Sequence, residues 1–167
     1  MKGVFIGAGS LLLLWSMSAA AQEHHACAGP QLGTWKLQSF TTQYLETGQT
    51  VESYGAHPTG YLSYGPDCRM YAIIVGENRK PPAGVVPTDA EKIELFGGVL
   101  AYAGTYTIDG DKVSHHVDVS WNQAWTGTIQ VRQLKIEGNT LHIRSMPAKN
   151  PRDGRLSSST LVWIKVQ

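Results

Sequence analysis

Residues 102–146 read YAGTYTIDGDKVSHHVDVSWNQAWTGTIQVRQLKIEGNTLHIRSM. Four β-type runs stand out in this stretch: Tyr102–Ile108, Lys112–Trp121, Thr128–Ile136 and Thr140–Met146. Asp109-Gly110-Asp111, a loop, and Glu137-Gly138-Asn139 separate them. Turn formers between short β-type runs at this spacing are the signature of a sandwich or barrel. Parallel strands need a crossover of about a dozen residues or more, so these short connections make neighbouring strands antiparallel.

The same rhythm extends in both directions. Upstream lie a long first strand over 33–45, a short candidate Val51–Tyr54, and a hairpin of Tyr61–Tyr64 with Arg69–Val75 around Gly65-Pro66-Asp67-Cys68. A loop too Pro-rich for a ladder, Lys80-Pro81-Pro82-Ala83-Gly84, then leads to a single predicted helix, about 88–100. Thr88 and Glu91 form a capping box at its start, and Ile93, Phe96 and Leu100 recur on one face. Such a face must cover something, and a lid over one end of the fold is the expectation. Downstream, the run Ser157-Ser158-Ser159-Thr160 reads as a loop leading into a last strand, Ser159–Val166. The predicted fold is mainly β, an antiparallel up-and-down barrel of about 8–10 strands with one short helix, closed because closure removes exposed edges.

Composition agrees with this reading. The 167 residues are 42% apolar and 16% charged, as in a globular chain, with 18 Gly, 8 Pro, 5 Trp, 7 Tyr and 3 Phe favouring turns and strands. The 14 basic and 13 acidic residues leave a net charge of +1, which provides no electrostatic footprint for a nucleic acid.

The chain begins with Lys2, an apolar stretch through Leu11–Trp15 and the small-residue run Ala19-Ala20-Ala21, the pattern of a secretory leader over 1–21. A tail over 22–32 and a barrel domain over 33–167 follow, and no later segment is long and apolar enough to span a bilayer. The expectation is a secreted or periplasmic protein with no membrane attachment after cleavage. The only two cysteines, Cys27 and Cys68, are expected to pair in an oxidising compartment, the alternative being two buried thiols.

The polar residues of the central hairpin supply the candidate site. Alternation puts Ser114, His116, Asp118 and Ser120 on one face, and Val113, His115, Val117, Val119 and Trp121 on the other. The partner run separates Thr128, Gln130 and Arg132 from Ile129 and Val131. Keeping the apolar sets together gathers His116, Asp118, Gln130 and Arg132 into one patch, facing either solvent or the interior. Facing inward, Arg132 would bind a carboxylate or enolate, and His116, poised by Asp118, would exchange a proton. Tyr102 and Tyr106 share a face and are read either as cavity lining or as core. His115 and His116 are adjacent and point to opposite faces, so they cannot share an ion, and no metal or cofactor site is expected.

Several motifs in chain order carry a resemblance: Gly33-Thr34-Trp35, Tyr54-Gly55-Ala56-His57-Pro58, Gly60-Tyr61-Leu62-Ser63-Tyr64, Pro66-Asp67, Ala101-Tyr102-Ala103-Gly104, His115-His116-Val117, Trp125-Thr126-Gly127-Thr128, Gln130-Val131-Arg132 and Leu161-Val162-Trp163. Together they resemble the bacterial and fungal lipocalin-like domain family over residues 33–166. The resemblance implies a small antiparallel barrel with an internal cavity, and its inclusion of His116, Gln130 and Arg132 favours the inward patch. One departure is Cys68, which stands where family members often carry Gly, at a position expected to need positive φ. The expected partner is a small, largely hydrophobic ligand held in the cavity. The alternative is a cofactor-free isomerase or cyclase that uses His116 with Asp118 or Tyr106.

Overall fold

The structure is a computed structural model that describes residues 27–166. The leader expected over 1–21 and the start of the expected tail lie outside the described residues. The strands are β1 (Gly33–Tyr44), β2 (Thr50–Glu52), β3 (Thr59–Tyr64), β4 (Arg69–Val75), β5 (Val99–Asp109), β6 (Lys112–Ser120), β7 (Ile129–Glu137), β8 (Thr140–Ser145), β9 (Ala148–Lys149) and β10 (Leu156–Lys165). One helix, α1 (Asp89–Gly97), lies between β4 and β5.

All pairings are antiparallel, and β1 pairs with β10, closing the sheet. Short β2 and β9 attach to β1 and β10, so the closed ring is the other eight strands in the order β1-β3-β4-β5-β6-β7-β8-β10. Period-two alternation fills the interior: Trp35, Leu62, Tyr64, Ile74, Val113, Leu141 and Trp163 are buried. Full burial of one such aliphatic side chain contributes about 1.5–3 kcal/mol. Two bulges break the alternation. In β1 the register shifts between Leu37 and Ser39, so the inward set passes from Trp35 and Leu37 to Phe40, Thr42 and Tyr44.

The second bulge concerns the site directly. Ala103 of β5 faces Val119 of β6 while Gly104 faces Val117, which leaves Asp118 as the extra residue. Gly104 permits the close approach, since a Cβ there would collide with the His116 carbonyl oxygen.

One end of the barrel is closed by the β3–β4 hairpin and the chain entering β1. The Cys27–Cys68 disulfide is formed, with a Cα–Cα distance of 5.1 Å. Cys68 has φ of 61°, the left-handed conformation expected at this turn. Nearby, the Trp35 indole donates to the Gln31 carbonyl at 2.8 Å.

Two expectations need correction. The capping box forms, with Thr88 accepting from Glu91 N–H and the Glu91 carboxylate accepting from Thr88 N–H, but α1 stops at Gly97 and buries no residue. The chain turns into β5 at Val99, so Leu100 joins the core while Ile93 and Phe96 stay 73% and 57% exposed. The run Ser157–Thr160 is strand, paired with Thr41–Tyr44 of β1, and two of its hydroxyls find partners: Ser159 meets Thr42 at 2.9 Å, and Ser158 donates to the Ser145 carbonyl at 2.8 Å.

Candidate functional site

The register of β6 on β7 decides the site. Val113 lies opposite Arg132, His115 opposite Gln130, and His116 opposite Ile129. Directly opposed residues share a face, so Gln130 and Arg132 point inward with the buried Val113 and His115. The expected four-residue patch is therefore divided. His116 and Asp118 lie on the outer wall, where Asp118 pairs with the exposed Arg69. Because Asp118 is the bulged residue, Val119 after it also points out and is exposed, contrary to simple alternation.

The reason lies farther along β7. Leu134 faces Ile143 and Ile136 faces Leu141, both core residues of β8. A strand keeps its face parity, so burying Leu134 and Ile136 brings Gln130 and Arg132 inside and sends Ile129 and Val131 to the outer face.

Gln130 and Arg132 border a cavity of about 290 Å³ inside the barrel, near the lower end for small-molecule sites. Apolar wall comes from Phe40, Leu62, Ile74, Leu161 and Trp163, and polar wall from Tyr102, His115, Gln130 and Arg132. A hydroxyl-bearing wall of Thr42, Ser53, Ser145, Ser157 and Ser159 completes the lining. Lys149 and Arg152 reach it from the loop region after β8. Among the described residues, no Asp or Glu lines the cavity.

Tyr106 does not line the cavity. It packs behind Tyr64, with ring centroids 4.7 Å apart, and its hydroxyl donates to the Gly65 carbonyl at 3.0 Å near the closed end. Tyr102 does line the cavity, and its hydroxyl lies 2.9 Å from Nδ1 of His115. The other ring nitrogen, Nε2, lies 2.7 Å from the Tyr64 hydroxyl. Burial is the main force pushing the His115 pKa down to about 3, with the positive charges of Arg132 and His116 adding to it. Burial likewise raises both phenols, Tyr64 well above its ordinary range. The Tyr64–His115–Tyr102 chain is consequently uncharged at neutral pH.

Arg132 is the charged member of this wall. It donates to the Val131 carbonyl at 3.0 Å and to Gln130 Oε1 at 3.2 Å, while Gln130 donates to Thr128 Oγ1 at 2.8 Å. Its guanidinium carbon lies 6.0 Å from the Trp125 ring centroid, within cation–π range. Among the described residues it forms no ion pair with a carboxylate. The described residues also contain no group of three His, Cys, Asp or Glu placed to hold a metal.

The residues missed by sequence reasoning are His115 and the Ser157–Ser159 wall. The shared parity of Arg132 with Leu134 and Ile136 was the available signal for the inward face of β7, and through pairing it brings His115 inside too.

An eight-stranded up-and-down barrel closed between its first and last strands around an internal cavity is the architecture of a lipocalin-like protein. A lipocalin-like domain family model matches residues 32–166, and the chain belongs to that family. No curated protein matches it. Among solved structures it is similar to a lipocalin-like protein from Bacteroides uniformis, at 15% identity over 83% of this chain and 100% of that one, TM-score 0.43. It is also similar to an uncharacterized protein from Bacteroides eggerthii, at 14% identity over 81% of this chain and 99% of that one, TM-score 0.40.

Proposed function

We propose that this chain is an exported lipocalin-like protein that binds a small, largely hydrophobic molecule inside its barrel. The observation that carries the reading is the cavity of about 290 Å³, with apolar walls and a few convergent polar groups at Tyr102, Gln130 and Arg132. Export is supported by the leader-like N-terminal sequence and by the Cys27–Cys68 bridge, which suits an oxidising compartment. No helix of the described residues is long and apolar enough to cross a membrane.

The alternative of a cofactor-free isomerase or cyclase called on His116 with Asp118 or Tyr106, none of which lines the cavity. His115, which does, has a pKa too low for efficient proton exchange near neutrality. Binding is the reading that the lining supports.

Native mass spectrometry of the mature protein purified from its host tests it. A co-purifying small molecule retained by the wild type and lost on filling the cavity with Ala72→Phe is the expected result. An empty wild-type barrel that also shows no thermal shift with small apolar probes would overturn the proposal.

A further inference from the structure

The hydrogen-bond chain beside Arg132 has a direction. Tyr64 is fully buried, and among the described residues its hydroxyl has one hydrogen-bond partner, Nε2 of His115. If Nε2 carried the imidazole proton, the Tyr64 O–H would be a buried donor with no acceptor, a cost of about 1–3 kcal/mol. Tyr64 therefore donates to Nε2, and the neutral His115 carries its proton on Nδ1, a tautomer assigned from the network. Nδ1–H then donates to the Tyr102 oxygen, which leaves the Tyr102 O–H unspent on a side chain that lines the cavity.

A charged donor group borders the same space. Arg132 uses two of its guanidinium N–H groups on protein acceptors, and a guanidinium has about five, so roughly three remain. Among the described residues, no carboxylate stands against these donors, since every charged side chain in the lining is cationic. A partly buried cation without a counter-ion is favourably placed for an anion, and one arriving with the ligand supplies what the lining omits.

We infer that the cavity is a carboxylate site: its ligand is a small hydrophobic molecule bearing one carboxylate, gripped by the planar Arg132 fork and by the Tyr102 hydroxyl, with its apolar body against Trp163, Leu62 and Phe40. The inference rests on the cavity-binding reading above and adds to it the charge and chemical class of the ligand.

Calorimetry on the mature, disulfide-bonded protein tests it with three probes of one shape: naphthalene-2-carboxylate, 2-naphthalenemethanol and 2-naphthylmethylamine. The carboxylate is expected to bind roughly ten- to a hundredfold more tightly than the alcohol, and the amine not at all. Arg132→Met should remove that preference while still binding the alcohol, which also reports that the barrel is folded. Tyr102→Phe should weaken only the carboxylate. Equal binding of carboxylate and alcohol by the wild type overturns the inference and leaves the cavity reading standing, whereas binding of none of the three overturns both. Nitrogen-detected NMR of His115 gives an independent check: a proton on Nδ1 is expected, and a proton on Nε2 removes Tyr102 from the grip.

Discussion

The hydroxyl of Tyr64 stands 2.7 Å from Nε2 of His115, and both side chains are buried. The contact belongs to a neutral chain running from the closed half of the barrel to the cavity wall, and it makes stability depend on pH. His115 ordinarily titrates near 6.5 and is pushed down to about 3 in the folded protein. Between those values the unfolded chain binds a proton that the folded one refuses, so stability falls as the pH falls. The penalty is absent above pH 6.5 and grows toward about 3, by up to about 1.4 kcal/mol per pH unit. Thermal unfolding of His115→Gln beside the wild type should show a shallower decline between about pH 6.5 and 4.5, before most carboxylates titrate. Parallel declines would reject this role for His115.

Gly104 sits where β5 crosses the bulge in β6, and an added methyl would press on the His116 backbone. Gly104→Ala is expected to cost about 1–3 kcal/mol, in the range of overpacked sites. Urea denaturation measures it, and a variant as stable as the wild type would mean that the bulge rearranges freely.

The Cys27–Cys68 bridge closes a loop with a sequence separation of 41. Chain entropy sets its contribution at about 4 kcal/mol as an upper figure. The double variant Cys27→Ala/Cys68→Ala should lose much of that. Cys27→Ala/Cys68→Gly should recover roughly 1 kcal/mol, because Gly adopts the φ of 61° at position 68 without strain. Equal midpoints for the two variants would contradict the turn argument.

His116 and Asp118 occupy the outer wall, so neither should matter to ligand binding. His116→Ala and Asp118→Asn are expected to keep wild-type affinity for naphthalene-2-carboxylate and to shift stability by no more than about 0.5 kcal/mol, as exposed ion pairs contribute little. A tenfold loss of affinity in either would reopen the four-residue patch.

The exposed face of α1 offers a complementary check. Phe96→Ser removes a large ring that is 57% exposed and is expected to leave the unfolding midpoint nearly unchanged. A large drop would show the helix packing on the barrel.

Turn chemistry and period-two alternation, both local properties, determined the antiparallel meander from the sequence by itself. The Thr88–Glu91 capping box is equally local and forms as read. Two cysteines in a chain expected to be exported were enough to anticipate the bridge. Tertiary structure alone decided which side of the β6–β7 hairpin became the cavity wall. Alternation sorts residues into two sets but is unchanged when the faces are exchanged, so Arg132 looked equally suited to either. The burial of Leu134 and Ile136 against β8 broke that symmetry and carried Arg132 inward, while the register paired it with the Val113–His115 face and not with His116. The close approach at Gly104 reversed the parity after Val117, and the Ser157–Ser159 run became strand only by pairing with β1, its Ser158 and Ser159 hydroxyls bonded to β8 and β1. Those contacts join residues far apart in sequence, and no local pattern encodes them.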